Sequence, residues 1–436
     1  MKKSKIIYYA FVAAFGAIIV GLNMGGMSGA INLIENEFAL SSLAIGFVTG
    51  SLLIGCLIGA LVGGRLADKN GRKPMLVLSA ILLGISGLGC WQLASGWIWL
   101  TVFRFIGGLG VGVLSAVIPA YISEISPSKL RGTLVSFYQF GVVVGILIAY
   151  CFNFGVRDNW PLMLSLPFFF AVVDILMLLS LPESPRYLVL RGRSAEAEVA
   201  ITKYGFSDED AAAIRATTPE EKGAGIGELF KGRTGYVVFL GCMLAFFQQI
   251  TGINVIVNYA PGILESLGVG SDPLLQTIYV GVANLLFTIL ALWLVDNCGR
   301  KVLLITGGAG SFLCVAYLAY AWTLPNPSPI GVLVAIIGFI GFFAISFAPL
   351  MFVVTAEIYP DRVRGTAMAL STGISWACAF LVVQFFPWME TTLGTSVTFG
   401  IFAALLLAAC FFIGFLIPET KGKSLEHIQK ELKFED

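Results

Sequence analysis

The sequence predicts an all-α membrane protein with twelve transmembrane helices. Its 436 residues are 57% hydrophobic and only 12% charged, whereas a soluble globular protein carries about 25% charged residues. Apolar runs of roughly 20 residues, the length that a helix needs to cross a bilayer, recur along the whole chain. The alternating segments of about ten residues that are typical of a transmembrane β-barrel do not occur in the sequence.

Twelve such apolar runs can be placed along the chain. They lie near residues 6–30, 42–64, 75–95, 97–121, 133–154, 161–181, 236–259, 274–295, 302–323, 329–354, 366–386 and 394–417, and they are numbered here as spans 1 to 12. Span 1 is too long for the core of a signal peptide and is followed by no convincing cleavage site, so it is predicted to be a retained helix.

The basic residues predict the orientation of these spans. Of the 27 Lys and Arg residues, only Arg157 lies in a loop on the side opposite the N-terminus, and Arg104 lies inside a span. Cytoplasmic loops are enriched in Lys and Arg. Both termini are therefore predicted to be cytoplasmic, in a multi-pass protein of the cell membrane (the plasma or inner membrane) that contacts the lipid bilayer. The net charge of +1 and the lack of a basic domain predict no nucleic-acid partner.

The cysteine and histidine content argues against metal sites and enzymes. The eight cysteines are scattered and none forms a CxxC pair, and His427 is the only histidine. These counts predict no disulfide framework, no metal site and no histidine-based catalytic triad. We expect no cofactor, and nothing in the sequence pairs a nucleophile with a base.

The longest polar stretch divides the chain into two sets of six spans. It covers residues 182–234 and is rich in Ala and Glu, as in AEAEVA and DEDAAAIRA. The interpretation is a cytoplasmic linker with short amphipathic helices; the alternative is a disordered linker. The predicted domains are an N-terminal bundle (1–181), this linker, a C-terminal bundle (235–417) and a cytoplasmic tail (418–436).

Three loop phrases occur twice, once in each half. EISPSKLRG (124–132) is repeated as EIYPDRVRG (357–365), DKNGRK (68–73) as DNCGRK (296–301), and PESPR (182–186) more loosely as PETKG (418–422). The two copies lie 228 residues apart for DKNGRK, 233 for EISPSKLRG and 236 for PESPR, and the three phrases follow the same order in both halves. A nearly constant period indicates a tandem duplication of a six-helix unit. Two such bundles can face a central site and rock about it, as transporters do.

The repeated phrases combine acids and bases with a Gly or Pro that permits a tight turn. We expect them to form ion-pair clusters at helix ends, since the planar guanidinium of Arg pairs carboxylates in a fixed geometry. Such clusters could latch the cytoplasmic side; the alternative is ordinary loop charge that sets the topology. The predicted gating residues are Asp68, Arg72, Glu124, Arg131 and Glu183 in the first half and Asp296, Arg300, Glu357, Arg364 and Glu419 in the second.

The motifs resemble those of the sugar porter branch of the major facilitator superfamily, and the resemblance covers essentially the whole chain. The motifs are GGRLADKNGRK (63–73), RFIGGLGVG (104–112), PESPR (182–186), QQITGIN (248–254) and PETKG (418–422). The first alone would indicate only the superfamily, whereas PESPR, QQxxGxN and PETKG in this order are specific to the sugar branch. The resemblance implies the two-bundle fold of that superfamily and a monosaccharide as the substrate.

Span 7 supplies the predicted substrate site. Gln248, Gln249 and Asn254 lie within seven residues of one another, and their amides match sugar hydroxyls because both groups donate and accept hydrogen bonds. Gln249 and Asn254 are about 140° apart on an ideal helix, so Gly252 is expected to distort the helix locally. The alternative is that these amides join helices by hydrogen bonds.

The resemblance implies further members of the site. Gln139 and Asn284 match sugar-binding positions, Trp376 matches a family aromatic, and Tyr259 matches the outer gate. Phe352 stands where the family usually has Trp, and Ser375 stands where some relatives have Asn. These two departures leave the preferred sugar open.

The residue at the position that couples proton transport in the family predicts passive transport here. Asn23 occupies the position where proton-coupled sugar porters commonly have Asp, and Arg104 matches the Arg that the family places near it. An amide does not titrate near neutral pH, which favours a uniporter. The family's passive glucose facilitators also carry Asn at this position. Asp174 is an acid inside span 6 and therefore a functional candidate, for proton coupling or as a local polar partner.

These observations together predict a carrier that moves a monosaccharide, such as the hexose glucose, by alternating access, and that works as a monomeric uniporter. Two alternatives remain at this point. One is a proton–sugar symporter that uses another acid such as Asp174, and the other is a sugar receptor that does not translocate. The tail after PETKG is short, whereas such receptors tend to carry long signalling tails.

Overall fold

The chain is helical over nearly its whole described length. The computed structural model describes residues 3–127, 130–204, 206, 208–216, 226–266 and 272–421. Its α-helices are α1 (Lys3–Phe38), α2 (Ser42–Asn70), α3 (Arg72–Leu88), α4 (Trp97–Ile125), α5 (Arg131–Val156), α6 (Trp160–Met163), α7 (Leu166–Leu179), α8 (Pro185–Leu190), α9 (Ser194–Tyr204), α10 (Asp208–Arg215), α11 (Gly232–Ile250), α12 (Ile253–Ser266), α13 (Pro273–Asn297), α14 (Arg300–Ala321), α15 (Pro329–Ile345), α16 (Phe347–Ile358), α17 (Asp361–Leu393) and α18 (Thr395–Leu416).

Twelve stretches of this chain are long and apolar enough to cross a membrane. They range from 20 residues (Trp160–Leu179) to 35 residues (Gly232–Ser266), and each meets the length of about 20 residues that a bilayer requires. Because each stretch coincides with one of the predicted spans, the prediction of twelve helices is confirmed. No strand occurs in the described part of the chain.

Three of the predicted continuous spans are broken in the structure, and one of them, span 6, is divided into α6 and α7 at Leu164 and Ser165. Span 7 is divided into α11 and α12 at Gly252, whose φ of +88° lies in the region that favours glycine. Span 10 is divided into α15 and α16 at Ser346, which has a φ of −125° and a ψ of −89°. The break in span 7 was predicted from the spacing of the amides. The break in span 10 was not predicted, although Pro349 lies three residues after Ser346 and has no N–H to donate to the Ile345 carbonyl.

Cα positions group the chain into two compact units. The first consists of residues 1–27, 51–152 and 158–222, and the second of residues 28–50, 153–157 and 223–436. The units therefore follow the two halves of the sequence except for two segments, 28–50 and 153–157. The predicted bundle boundaries, at residues 181 and 235, remain a prediction.

The first unit depends on close approach between α2 and α4. A Cβ at Gly55 or Gly59 would collide with backbone carbonyl oxygens of α4, and a Cβ at Gly108 or Gly112 would collide with carbonyl oxygens of α2. Small residues four apart on each helix allow the two backbones to touch, a common way of joining helices inside a membrane. The glycines of the RFIGGLGVG motif therefore serve packing.

Three short helices, α8, α9 and α10, follow α7 within the first unit. Ser184 caps α8, since its Oγ accepts a hydrogen bond from the Tyr187 backbone N–H at 3.3 Å. The buried hydroxyls of Tyr121 in α4 and Tyr204 in α9 lie 2.6 Å apart, and the Pro182 carbonyl accepts a hydrogen bond from Tyr121 at 2.7 Å. These bonds fasten the linker helices to the membrane-length helix α4.

The second unit includes the C-terminal ends of α1 and α5. Within it, Gln384 Nε2 of α17 donates to the carbonyl of Leu43 at 2.9 Å. The Arg157 guanidinium, which follows α5, pairs with the Asp272 carboxylate at 2.6 Å. Burial alone would raise the pKa of Asp272, but the hydrogen bond and charge of Arg157 outweigh it and lower that pKa.

Candidate functional site

The break at Gly252 brings the amides of span 7 together. Asn254 Nδ2 donates to Gln249 Oε1 at 2.6 Å, although the two residues would point about 140° apart on an unbroken helix. The positive φ of Gly252 turns α12 relative to α11 and removes that separation. The predicted distortion is therefore confirmed, and it makes two polar groups from different helices into one surface.

A directed chain of hydrogen bonds extends from these amides into the protein. Gln249 Nε2 donates to Ser375 Oγ at 2.8 Å, and Ser375 Oγ donates to Gln248 Oε1 at 3.3 Å. Gln248 Nε2 then donates to the Phe347 carbonyl at 3.0 Å. The chain thus ends at the first residue of α16, beside the break in span 10.

This chain of hydrogen bonds gives the three amides two different roles. Gln248 is only 4% exposed, and both ends of its amide are bonded to protein. Gln249 and Asn254 are half-buried, and each primary amide has two N–H donors and an oxygen with two lone pairs. The bonds in this chain use only part of that capacity at Asn254 and Gln249, so these two amides can still bind hydroxyl groups.

Ser375 is the residue of this site that sequence reasoning undervalued. The sequence marks Ser375 only as a departure from the family pattern. In the structure its hydroxyl accepts a hydrogen bond from Gln249 and donates one to Gln248. It is 4% exposed and lies directly before Trp376 in α17. A small polar residue before a site aromatic was the one available signal, and its partners could not be read from sequence because they lie on another helix.

Removing the Ser375 hydroxyl should loosen both glutamines. Because one neutral hydrogen bond contributes about 1 kcal/mol net, we expect Ser375→Ala to raise the KM for sugar about fivefold. Ser375→Thr keeps the hydroxyl and should restore most of the affinity. Initial uptake rates over a range of sugar concentrations measure this, and Thr372→Val on the same helix is the matched control. An unchanged KM in Ser375→Ala would show that the chain does not position the amides.

The other predicted substrate residues lie on several helices. Asn284 is half-buried in α13, Trp376 is half-buried in α17, and Phe352 of α16 is 45% exposed. Gln139 is half-buried in α5 and belongs to the first unit. Their roles in binding a sugar remain predictions.

Tyr259, the predicted outer gate, is buried in α12. Its hydroxyl donates to the Val383 carbonyl of α17 at 3.2 Å, and its ring centroid lies 5.0 Å from that of Phe386. The aromatic pair and the hydrogen bond join α12 to α17 five residues beyond Asn254.

The first-half phrases form one ion-pair cluster. The Arg72 guanidinium contacts both oxygens of Glu124 through Nε at 3.1 and 3.2 Å, and its Nη1 pairs with Asp68 at 2.8 Å. The backbone N–H of Arg72 donates to Glu183 at 3.0 Å. The cluster ties the ends of α2, α3 and α4 to the segment after α7. Burial outweighs the backbone donors at Glu183 and raises its pKa.

The second-half phrases repeat this arrangement with weaker contacts. Arg300 Nη2 pairs with Glu357 at 3.2 Å, and the backbone N–H groups of Arg300 and Lys301 donate to Glu419 at 2.9 and 3.1 Å. Burial alone would raise the pKa of Glu419, but these donors and that of Lys421 outweigh it and lower the pKa. The duplicated phrases therefore fold into duplicated clusters, one in each unit.

The remaining predicted gating residues are Arg364, Arg131 and Asp296. Arg364 Nη2 donates to the Tyr359 carbonyl at 3.3 Å. Arg131 Nε is buried without a hydrogen-bond partner in the described part of the chain. The side chain of Asp296 lies outside the described residues. The part that these three residues play in gating remains a prediction.

The coupling position is neutral and buried. Asn23 is 6% exposed, and its Nδ2 donates to the Ile19 carbonyl one turn earlier at 3.0 Å. Arg104 is 3% exposed in α4. Asp174 is 1% exposed in α7, its Oδ1 has no hydrogen-bond partner among the described residues, and the Gly16 backbone packs beside its other oxygen.

Residues 9–432 match the profile of a family described as "Sugar (and other) transporter". The chain belongs to this sugar porter family. Its members are transporters and not enzymes, and the chain is an integral multi-pass membrane protein with the major facilitator fold. In the described part of the chain, no group of three or more His, Cys, Asp or Glu residues could hold a metal ion.

A xylose symporter and a glucose transporter are both similar to this chain. The D-xylose-proton symporter of Escherichia coli K12 is 33% identical over 98% of this chain and 95% of that protein. The glucose transporter GlcP of Staphylococcus epidermidis is 34% identical over 99% of this chain and 98% of that protein. The inward open structure of the E. coli xylose transporter XylE superimposes with a TM-score of 0.85 at 31% identity, covering 98% of this chain and 99% of that one.

Proposed function

We propose that this sugar porter is a uniporter that carries a monosaccharide, a hexose such as glucose, down its gradient by alternating access. The observation that carries the proposal is the amide surface of Gln249 and Asn254, joined at 2.6 Å, together with the neutral Asn23 at the coupling position. Amides supply the hydrogen bonds that sugar hydroxyls need. Several bonds of about 1 kcal/mol each give weak, roughly millimolar binding, which lets a carrier release its cargo.

The proposed sugar site combines the polar chain with apolar walls. Gln249 and Asn254 bind hydroxyls, while Gln248 and Ser375 hold Gln249 in place from behind. Trp376 packs on the apolar face of the sugar ring, and Phe352 forms a wall that lacks an indole donor. Gln139 and Asn284 complete the hydrogen bonds to the sugar.

The proposed cycle uses the two ion-pair clusters as latches. The cluster of Arg72 with Glu124 and the cluster of Arg300 with Glu357 hold helix ends together while the cytoplasmic side is closed, and they loosen as it opens. Tyr259 gates the opposite side through its bond to Val383. We further propose that the protein works as a monomer in the cell membrane, with both termini in the cytoplasm, as the distribution of Lys and Arg predicts.

A proton symporter is the second candidate, because Asp174 is a carboxyl group buried in α7 whose Oδ1 has no described partner. Burying an unpaired charge is costly, and an acid inside a membrane span is a functional candidate for this reason. One of the two relatives described above is a proton symporter, so the comparison leaves both candidates open.

Sugar-induced proton movement distinguishes the two candidates. Glucose added to a weakly buffered suspension of proteoliposomes should leave the external pH unchanged if the protein is a uniporter. An alkaline shift that disappears in Asp174→Asn would favour the symporter. Asn23→Asp supplies the positive comparison, because it places a titratable carboxyl group at this position. Uptake of labelled glucose by the same vesicles shows that each variant is folded.

A further inference from the structure

A pocket of about 350 Å³ lies in the second unit, at the ends of α1, α12 and α17. Three glutamates line it: Glu35 of α1, Glu265 of α12 and Glu390 of α17. No Lys, Arg or His occurs among its described lining residues. We call it the outer pocket, since the proposed orientation places these helix ends outside the cell.

The partners that the structure describes for these glutamates carry no positive charge. Asn32 Nδ2 donates to Glu265 at 3.5 Å, and Thr395 Oγ1 donates to Glu390 at 3.3 Å. Both donors are neutral groups. A concave site lined by charges of one sign raises the local concentration of ions of the opposite sign, so the outer pocket attracts cations.

The basic residue of the outer loops is engaged elsewhere. Arg157 is the one Lys or Arg in those loops of the sequence, and its guanidinium pairs with Asp272 at 2.6 Å and lies 4.6 Å from the centre of the Phe154 ring. A cation for the pocket must therefore come from solution.

A buried hydroxyl in the pocket also lacks a partner. Ser28 lines the pocket and is 5% exposed, and its Oγ has no hydrogen-bond partner in the described structure. Buried polar groups are nearly always hydrogen-bonded. Ser28 therefore points to an occupant that offers hydrogen-bonding groups as well as positive charge.

The three acids of the outer pocket lie on three different helices, and no group of three or more His, Cys, Asp or Glu residues in the described chain could hold a metal ion. These observations favour a larger cation that reaches the separate walls over a bare metal ion. The pocket volume falls in the range of about 300–1,000 Å³ that small-molecule sites occupy. The rings of Tyr259 and Phe386 also line it, and aromatic faces bind organic cations and the apolar faces of sugars.

We propose that the outer pocket binds a polyhydroxylated organic ammonium ion, and that a protonated amino sugar is the class of ligand it fits. The glutamates pair with the ammonium group, Ser28 and the amides of Asn32 and Asn258 bind hydroxyls, and the aromatic rings contact the sugar ring. The proposal deepens the proposed function, on which it depends only for the side of the membrane that the pocket faces.

Binding of glucosamine hydrochloride and of glucose to the purified full-length protein, measured by calorimetry at neutral pH and low salt, tests this site. We expect glucosamine to bind about tenfold more tightly than glucose, because focused charge raises the local concentration of a cation. High salt should remove the difference, because it screens exposed charges. The variant Glu35→Gln/Glu265→Gln/Glu390→Gln should bind both sugars equally and still take up glucose.

Two further variants separate the outer pocket from the amide site. Glu37→Gln changes an exposed acid on the same helix outside the pocket and should keep the preference for glucosamine. Gln249→Ala should lose glucose binding and retain glucosamine binding. Equal affinity for the two sugars in the wild type, or an unchanged preference in the triple variant, would overturn the proposal. Should the triple variant fail to fold, Glu390→Gln alone must reduce the preference.

The same measurements distinguish this proposal from the proposed transport function. If the protein moves no glucose but glucosamine binding still depends on the three glutamates, the outer pocket proposal holds and the uniporter proposal fails. If glucose uptake is normal and glucosamine shows no preference, the reverse is true.

Discussion

Replacing Asn254 with alanine should lower the kcat/KM for sugar uptake about a hundredfold while the protein stays folded. The change removes the half-buried amide with the most unused hydrogen-bonding capacity, and it also leaves Gln249 Oε1 without its donor at 2.6 Å. Losing two or three hydrogen bonds of about 1 kcal/mol each corresponds to roughly 30- to 150-fold in affinity.

Initial rates of labelled-glucose uptake into proteoliposomes measure the effect of Asn254→Ala, with insertion of each variant checked in detergent. Asn297→Ala is the matched control, because it removes an exposed amide at the end of α13 that bonds only its own helix, at the Trp293 carbonyl. Normal uptake in Asn254→Ala would show that the amide surface of span 7 is not the sugar site.

Arg72→Ala should disturb the conformational cycle much more than sugar binding. Arg72 and Glu124 are only 11% and 15% exposed, and removing one member of a buried pair costs about 3–5 kcal/mol. Arg72→Lys keeps the charge but loses the planar contact with both carboxylate oxygens, so an intermediate effect is expected. Arg300→Ala should have a smaller effect, because its pair with Glu357 is longer, at 3.2 Å, and more exposed.

The ranking of these three variants is tested by measuring two quantities for each: sugar binding in detergent, and the rate of equilibrium exchange of sugar across the membrane. The expected result is a slowed exchange with nearly normal binding in Arg72→Ala, a partial loss in Arg72→Lys and a mild loss in Arg300→Ala. If Arg72→Ala removed sugar binding and left the exchange rate unchanged, the interpretation of the cluster as a latch would be wrong. If Arg72→Ala is too unstable to purify, the same comparison of binding with exchange rate is made with Arg72→Lys.

Features that depend on period and spacing could be predicted from the sequence. The twelve spans follow from runs of about 20 apolar residues, and the paired clusters follow from phrases repeated at nearly one period. The break at Gly252 follows from two amides that a regular helix would have kept apart. In each case the signal is local, or it is a comparison of one half of the chain with the other.

Features that depend on packing between distant segments could not be predicted. Ser375 gains its role only because α17 lies beside α11. The repeated phrases likewise predicted the same gating role for Arg131 and Arg72, but of these two only Arg72 lies in the described ion-pair cluster. Segment 28–50 contains the end of α1 and the start of α2, yet it groups with the second unit.

Labelled-glucose uptake into proteoliposomes, with and without an imposed inward proton gradient, tests the proposed uniport most directly. The neutral Asn23 at the coupling position predicts that internal glucose rises to the external concentration and no further, and that the gradient leaves this end point unchanged. Accumulation above the external concentration, driven by the gradient and lost in Asp174→Asn, would contradict uniport and identify Asp174 as the coupling acid.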